Sequence, residues 1–138
     1  MRVLFLSTWY PYPPDNGSKL RAYHLLRALG QAHEVSLLSF AFATARPEDA
    51  APLHQWCQQV DVVEIDPFAA NRAGALATFL SPRPVVSRPI AAMRQAAARW
   101  LQAQPCDAVI ASTARMAAYA PHGPPPAPPP PEAPHPPP

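Results

Sequence analysis

The chain has 138 residues, which by the usual size of protein domains allows one domain at most. Its formal net charge is only +2 and it has no basic block, which argues against nucleic-acid binding driven by electrostatics. The two cysteines, Cys57 and Cys106, lack the spacing of a metal site and have no companion histidines. We therefore expect buried free thiols and no metal site. No cofactor is expected either.

The amino-terminal residues and the hydropathy pattern bear on location. Residues 1–6 contain an apolar run too short for a secretory signal, and no stretch has the length needed to span a bilayer. Free thiols fit a reducing compartment. These features predict a cytoplasmic protein, either soluble or held peripherally at the inner face of the membrane.

The first thirty residues are predicted to form a strand, a long loop and a helix. Residues 3–6 are a continuous apolar run typical of a strand buried on both faces. Three prolines in the loop at 9–15 exclude regular structure there, and Asn16 and Gly17 supply turn chemistry. From residue 18 the apolar residues fall on one helical face, and Gly30 is predicted to end the helix just past its last helical position.

Two cations follow Gly17, at a place where ligands often bind. A parallel strand that runs into a glycine-led helix directs helix N–H groups at whatever lies beyond the strand's carboxyl end. Lys19 and Arg21 lie in or next to the first turn of this helix, where the macrodipole disfavours positive charge. One interpretation is that they hold phosphate or an acidic acceptor, and the other is a solvated basic face without a ligand.

The remaining pattern alternates strands with helices. Strands are predicted at 33–41, 61–65 and 108–112, and helices at 44–60, 71–80, 90–101 and 113–120, with a proline-broken loop at 81–89. The helix at 44–60 rests on the spacing of Leu53, Trp56, Cys57 and Val60. The alternation indicates an α/β fold with a parallel sheet in the order 3-2-1-4. A complete doubly wound sheet has roughly six strands, so we expect an incomplete Rossmann-like sheet.

The composition changes abruptly at residue 121. Residues 121–138 are mostly proline and have no apolar period, which predicts a disordered polyproline II tail after a domain at 1–120. Because proline codons are rich in G and C, a frame slip or truncation in a GC-rich gene is the favoured explanation. The alternative is a ligand for an aromatic groove such as that of an SH3 domain, although the tail contains no lysine or arginine.

The opening residues resemble a known family. The apolar strand, the YPYPP loop, Asp15, Gly17, Lys19, Arg21 and the YHLLRAL helix look like the start of a family 4-type glycosyltransferase. More narrowly, they are similar to bacterial sugar transferases associated with exopolysaccharide clusters. The resemblance extends from residue 1 to about residue 119. Its opening motif is fairly specific, whereas the rest is the general pattern of the fold.

The resemblance implies a GT-B enzyme, in which two Rossmann-like domains face a cleft. The amino-terminal domain would mainly bind the acceptor, and the other would bind the nucleotide-sugar co-substrate, usually without a metal. Gly17 would allow close backbone approach at the cleft floor. Lys19 and Arg21 would lie near phosphate or acceptor groups, Tyr10 and Tyr12 would line the acceptor side, and Asp15 belongs to the same motif. The implied reaction transfers a sugar to a glycan or a lipid-linked acceptor in polysaccharide biosynthesis.

The sequence departs from this family in ways that leave the catalytic residues unassigned. We expect no donor-binding domain, no carboxylate-bearing donor motif, and therefore no activity from this chain alone. Where many relatives have a histidine near the sugar, this chain has Ser112 and Thr113. The competing hypothesis is a non-catalytic α/β module that presents the proline tail to a protein partner. A flavodoxin- or receiver-like domain fits less well, since Ser7 and Thr8 are neither a phosphate cradle nor an acidic pair.

Overall fold

The structure is a computed structural model that describes residues 1–43, 45–69 and 89–121. It contains four strands and three α-helices within those ranges. In chain order they are β1 (Arg2–Ser7), α1 (Gly17–Gly30), β2 (Glu34–Phe40), β3 (Cys57–Val63), α2 (Ala91–Ala103), β4 (Ala108–Ala111) and α3 (Ala114–Ala117). The predicted helix at 71–80, most of the loop at 81–89 and the tail after residue 121 lie outside the described residues.

The four strands form one parallel sheet in the order β3-β2-β1-β4, as the sequence predicted. β1 pairs with β2 from Arg2↔Glu34 to Ser7↔Ser39, and with β4 from Val3↔Ala108 to Leu6↔Ala111. The α/β class and the parallel sheet are therefore confirmed. β1 lies between its two neighbours with β2 on one side and β4 on the other, so the strand order reverses at the β1–β4 boundary.

The two faces of the sheet have separate apolar cores. Alternate residues of β1 point to opposite faces, as the pleat requires: Val3 and Phe5 join the core that includes Leu26 of α1. Leu4 and Leu6 join the core under α2 and α3. The second core also contains Leu38, Phe40, Met93, Ala97, Trp100, Met116 and Tyr119. Helices thus cover both faces, which confirms the predicted arrangement around a central parallel sheet.

The predicted helix at 44–60 is wrong. Two short 3₁₀ turns, Pro47–Asp49 and Leu53–Gln55, occupy its first part, and β3 begins at Cys57. The pairing of β3 with β2 shifts between Val35 and Ser36, whose partners are Cys57 and Gln59. This bulge inserts one extra residue into β3. Consequently Cys57 and Val60, three positions apart, face the same core, and a strand acquires the spacing of a helix.

Gly30 has a different role from the one predicted. It is the last residue of α1, with Gln31 as the C-cap, and no glycine of the described residues has a positive φ. A Cβ at Gly30 would lie 3.0 Å from the Cα and the carbonyl carbon of Trp56, and closer still to the Trp56 carbonyl oxygen. Glycine is therefore required here because the backbone leading into β3 crosses the end of α1 in direct contact.

Candidate functional site

The strand order places the expected ligand crevice at the carboxyl ends of β1 and β4. Ser7 is the last residue of β1 and Thr8 follows it, and both are buried. The Thr8 amide donates a hydrogen bond to Ser112 Oγ at 3.4 Å, and the Thr8 and Thr113 hydroxyls are 3.0 Å apart. These contacts join the ends of the two strands at the point where open α/β sheets bind ligands.

Helix α1 follows the loop after β1, so it begins at the same end of the sheet, and its amino end is open. The Asn16 side chain caps the helix by accepting a 3.0 Å hydrogen bond from the Lys19 amide. Gly17 is exposed, and a Cβ built on it would meet nothing within 4 Å. Among the described residues, no acceptor is present for the Gly17 and Ser18 amides, which are at positions where a helix supplies no internal partner. The end can therefore present backbone donors to an anion.

Lys19 is buried in the structure and does not project into solvent. Its side chain is 3% exposed, and its Nζ atom forms a 2.9 Å ion pair with Oδ1 of Asp15. Lys19, Ala22 and Leu26 are the buried residues of α1, so the lysine stem continues the apolar stripe of the helix. The ion pair joins the proline loop to the helix, and because the Asp15 carboxylate offsets the Lys19 ammonium, the pair adds no net charge at the amino end of α1.

The other three predicted site residues are in different environments. Arg21 is exposed on α1, and Tyr12 is partly buried at the edge of the α1-side core. Tyr10 is 1% exposed inside that core, so its ring does not line an open acceptor surface. The structure thus brings Asp15 and Lys19 into contact, two residues on either side of Gly17, and it buries Tyr10 in the core.

Two buried titratable groups are unsuited to acid–base chemistry at neutral pH. Burial raises the pKa of the Tyr10 phenol to about 12, with smaller contributions from the nearby acids Asp49 and Glu48 and from Cys57. Burial also raises the pKa of the Cys57 thiol to about 11. Both groups stay protonated at neutral pH, and a buried neutral thiol is a poor nucleophile. Neither is a candidate for the catalytic base or nucleophile.

An aromatic cluster that the sequence did not reveal lies at the same end of the sheet, beyond the carboxyl ends of the strands. Trp9, Phe42 and Phe68 follow β1, β2 and β3, and their ring centroids are 4.8 to 5.7 Å apart. The guanidinium of Arg115, on α3 after β4, lies 4.8 Å from the centroid of Phe68. The sequence feature that could have indicated the cluster is that each aromatic residue follows a strand of one parallel sheet. Because these residues are far apart in the chain, they form no recognisable motif.

A polar cavity of about 610 Å³ opens at the opposite end of the sheet, at the amino ends of the strands. It is lined by residues around Arg2, Glu34 and Asp107, which are already engaged with one another. The Arg2 amide donates to Asp107 at 2.7 Å, and the Arg2 guanidinium is paired with Glu34 at 3.2 Å. Ligands of parallel sheets bind at the carboxyl ends of the strands. We therefore place the candidate site at that end of the sheet, where Thr8 and Ser112 lie, and not at this cavity.

The residues that the structure describes contain no group of three or more histidine, cysteine or acidic side chains placed to hold a metal ion. None of their helices combines the length and the apolar character needed to cross a bilayer.

We expect Asp15→Asn to lower the free energy of unfolding by about 1–2 kcal/mol. Breaking a fully buried ion pair costs more, but Asp15 is 45% exposed and water screens part of the loss. The matched control is Glu34→Gln, which removes an ion pair whose partners are both 54% exposed and should cost less than about 0.5 kcal/mol. Urea unfolding followed by tryptophan fluorescence gives both values, and equal losses would contradict a structural role for the Asp15–Lys19 pair.

Comparison of the chain with protein-family models, with curated proteins and with solved structures gave no match.

Proposed function

We propose that this chain is the acceptor-side domain of a two-domain sugar transferase of the GT-B type. In this proposal it acts in polysaccharide biosynthesis, where a sugar passes from a nucleotide-sugar to a glycan or a lipid-linked acceptor. A second Rossmann-like domain completes the cleft and binds most of the donor. The reaction takes place in the cytoplasm, at the inner face of the membrane for a lipid-linked acceptor.

The observation that carries the proposal is the open amino end of α1, which follows the loop at the carboxyl end of β1. It combines a side-chain cap at Asn16, exposed glycine at Gly17 and two backbone amides without an acceptor among the described residues. The helix dipole adds partial positive charge at the same end. A second observation supports the proposal. The motif from the YPYPP loop to the YHLLRAL helix resembles the opening of these enzymes, and it contains the amino end of α1.

Each residue around the amino end of α1 has a separate role in the proposed reaction. The Gly17 and Ser18 amides bind an oxygen of the donor diphosphate, which carries the negative charge that grows as it leaves. The Lys19–Asp15 ion pair adds no net charge, and its role is to hold the loop that leads to those amides. Exposed Arg21 and half-buried Tyr12 lie nearer solvent, where the acceptor enters. The domain's contribution is thus to orient substrates and to stabilise the leaving group.

The proposal predicts weak binding of UDP that depends on open space at Gly17. Gly17→Ala places a methyl group where the diphosphate approaches, so we expect its affinity for UDP to fall by about tenfold. Leu25→Ala, which truncates a partly exposed side chain farther along the same helix, is the control and should bind UDP like the parent chain. Isothermal titration of the full chain with UDP gives the three affinities.

Two results would contradict the proposal. One is the absence of UDP binding at millimolar concentration, and the other is binding that Gly17→Ala leaves unchanged. Turnover of UDP-glucose by this chain alone would contradict the separate statement that a second domain is needed.

A further inference from the structure

The aromatic cluster of Trp9, Phe42 and Phe68 remains partly open to solvent. Phe68 is 47% exposed, and Trp9 and Phe42 are partly buried. The three rings are tilted against one another by 33° to 63°, so they form a faceted surface and not a flat stack. We call these three rings the aromatic platform. It lies beyond the carboxyl ends of the strands, where ligands of parallel α/β folds bind.

The backbone and side-chain contacts hold the platform in place. Ser7 Oγ donates a 2.7 Å hydrogen bond to the Trp9 carbonyl, which fixes the turn after β1. The Phe68 amide donates to Asp66 Oδ1 at 2.8 Å, which fixes the turn after β3. The rings of Trp9 and Phe68 are therefore presented by hydrogen-bonded turns, as a preformed binding surface requires.

Arg115 gives the platform a positive charge with spare donors. One guanidinium nitrogen donates to the Pro67 carbonyl at 3.0 Å, and the group lies over Phe68. A guanidinium has five N–H donors, and the ion pairs of the described residues do not include Arg115. A carboxylate or phosphate that approached the platform could therefore bind this cation without displacing an acidic residue.

We infer that the aromatic platform and Arg115 bind a pyranose sugar that carries an anionic group. The C–H face of a pyranose ring is apolar and stacks on an aromatic ring, while its hydroxyl groups stay in water. The anionic group, a carboxylate or a phosphate, forms charge-assisted hydrogen bonds with the free donors of Arg115. This inference rests on the proposed function and specifies it, because it makes the acceptor an acidic saccharide.

The size of the platform favours a small ligand over a macromolecule. Stable protein interfaces bury about 800 Å² on each partner, much more than three partly buried rings can supply. A neutral apolar ligand would leave the Arg115 guanidinium unpaired at the edge of the site, and burying a charge without a partner is costly. A sugar with one negative charge satisfies both the rings and the cation.

Matched sugar pairs test the inference on the full chain. The first pair is cellobiose and cellobiouronic acid, in which a carboxylate replaces one hydroxymethyl group. The second pair is glucose and glucose 6-phosphate, so that comparison of the two pairs separates carboxylate from phosphate as the source of charge. We expect saturation-transfer NMR to detect the anionic member of at least one pair, bound about tenfold more tightly than its neutral partner.

Three variants assign the two parts of the site. Phe68→Ala should weaken both members of a pair, since it removes the exposed ring. Arg115→Gln should abolish the preference for the charged member and leave neutral binding unchanged. The matched control is Arg27→Gln, because Arg27 also lies over an aromatic ring, 5.5 Å from the Trp56 centroid, but on α1. It should leave both affinities unchanged.

The outcomes separate this inference from the proposed function. Absence of binding by all four sugars, equal binding of charged and neutral members, or a preference that survives Arg115→Gln would each overturn it. Association with anionic lipid vesicles but with none of the sugars would also overturn it. Because UDP binding is tested at Gly17, UDP binding without sugar binding would leave the proposed function standing alone, whereas sugar binding without UDP would indicate a saccharide-binding domain that is not a transferase.

Discussion

Phe40→Ala is expected to lower the free energy of unfolding by about 3–5 kcal/mol. Phe40 is fully buried at the end of β2, in the core beneath α2 and α3. Its ring meets the Tyr119 ring edge-on, with the centroids 6.1 Å apart. Truncation would leave a cavity and would remove this contact, which itself adds about 0.5–1.5 kcal/mol beyond area burial.

The loss extends to the connection that leads into α2. Tyr119 is held by the Phe40 ring on one side, and its hydroxyl accepts a 2.8 Å hydrogen bond from the Ile90 amide. A loosened Tyr119 would therefore also weaken the start of α2. The loss should appear as a lower urea midpoint with an unchanged slope, because the same surface is exposed on unfolding.

Phe68→Ala is the matched control, since it makes the same truncation at a ring that is 47% exposed. We expect it to cost about 1–2 kcal/mol, because about half of the residue stays in water and its truncation leaves no closed cavity. An equal loss for Phe40→Ala and Phe68→Ala would contradict the assignment of Phe40 to the core and of Phe68 to an open surface.

Gly30→Ala is expected to destabilise the chain by about 1–3 kcal/mol. In most helices this change is favourable by roughly 0.5–1 kcal/mol, because alanine has the higher helix propensity. Here the new methyl group would lie 3.0 Å from two backbone carbons of Trp56. Backbone cannot rotate away as a side chain can, so the connection into β3 would have to shift.

Gly17→Ala provides the comparison at the other end of the same helix. A Cβ there meets nothing within 4 Å, so the normal propensity gain should apply and the free energy of unfolding should stay equal or rise slightly. Thermal and urea unfolding of the two variants test the sign. A stabilising Gly30→Ala would contradict the close approach between α1 and the Trp56 backbone.

The strand order could be predicted because it depends on simple rules. The runs at 3–6, 33–41 and 108–112 are apolar and too short for helices, and right-handed crossovers restrict their order in the sheet. β3 was harder, since the bulge after Cys57 gives a strand the spacing of a helix. Periodicity does not distinguish a bulged strand from a short helix until the pairing partner is known.

The candidate site was predictable only in part. The Asn16–Gly17 helix start has a local signature, and in the structure Asn16 caps a helix that begins at Gly17. The burial of Lys19 follows from its place on the apolar stripe of α1, which an interpretation based on charge alone overlooked. The aromatic platform could not be predicted, because its rings come from three separate loops and meet only when the sheet has formed.

The measurement that tests the central claim most directly is an amide-resolved NMR titration of the isotope-labelled chain with UDP. If the chain is the acceptor-side domain of a sugar transferase, the Gly17 and Ser18 amide resonances shift first and most, because they donate to the diphosphate. The Arg27 amide, near the other end of α1, should stay unchanged. The claim would be contradicted if UDP shifted neither the Gly17 nor the Ser18 resonance. It would also be contradicted if UDP perturbed only residues at the amino ends of the strands, such as Glu34.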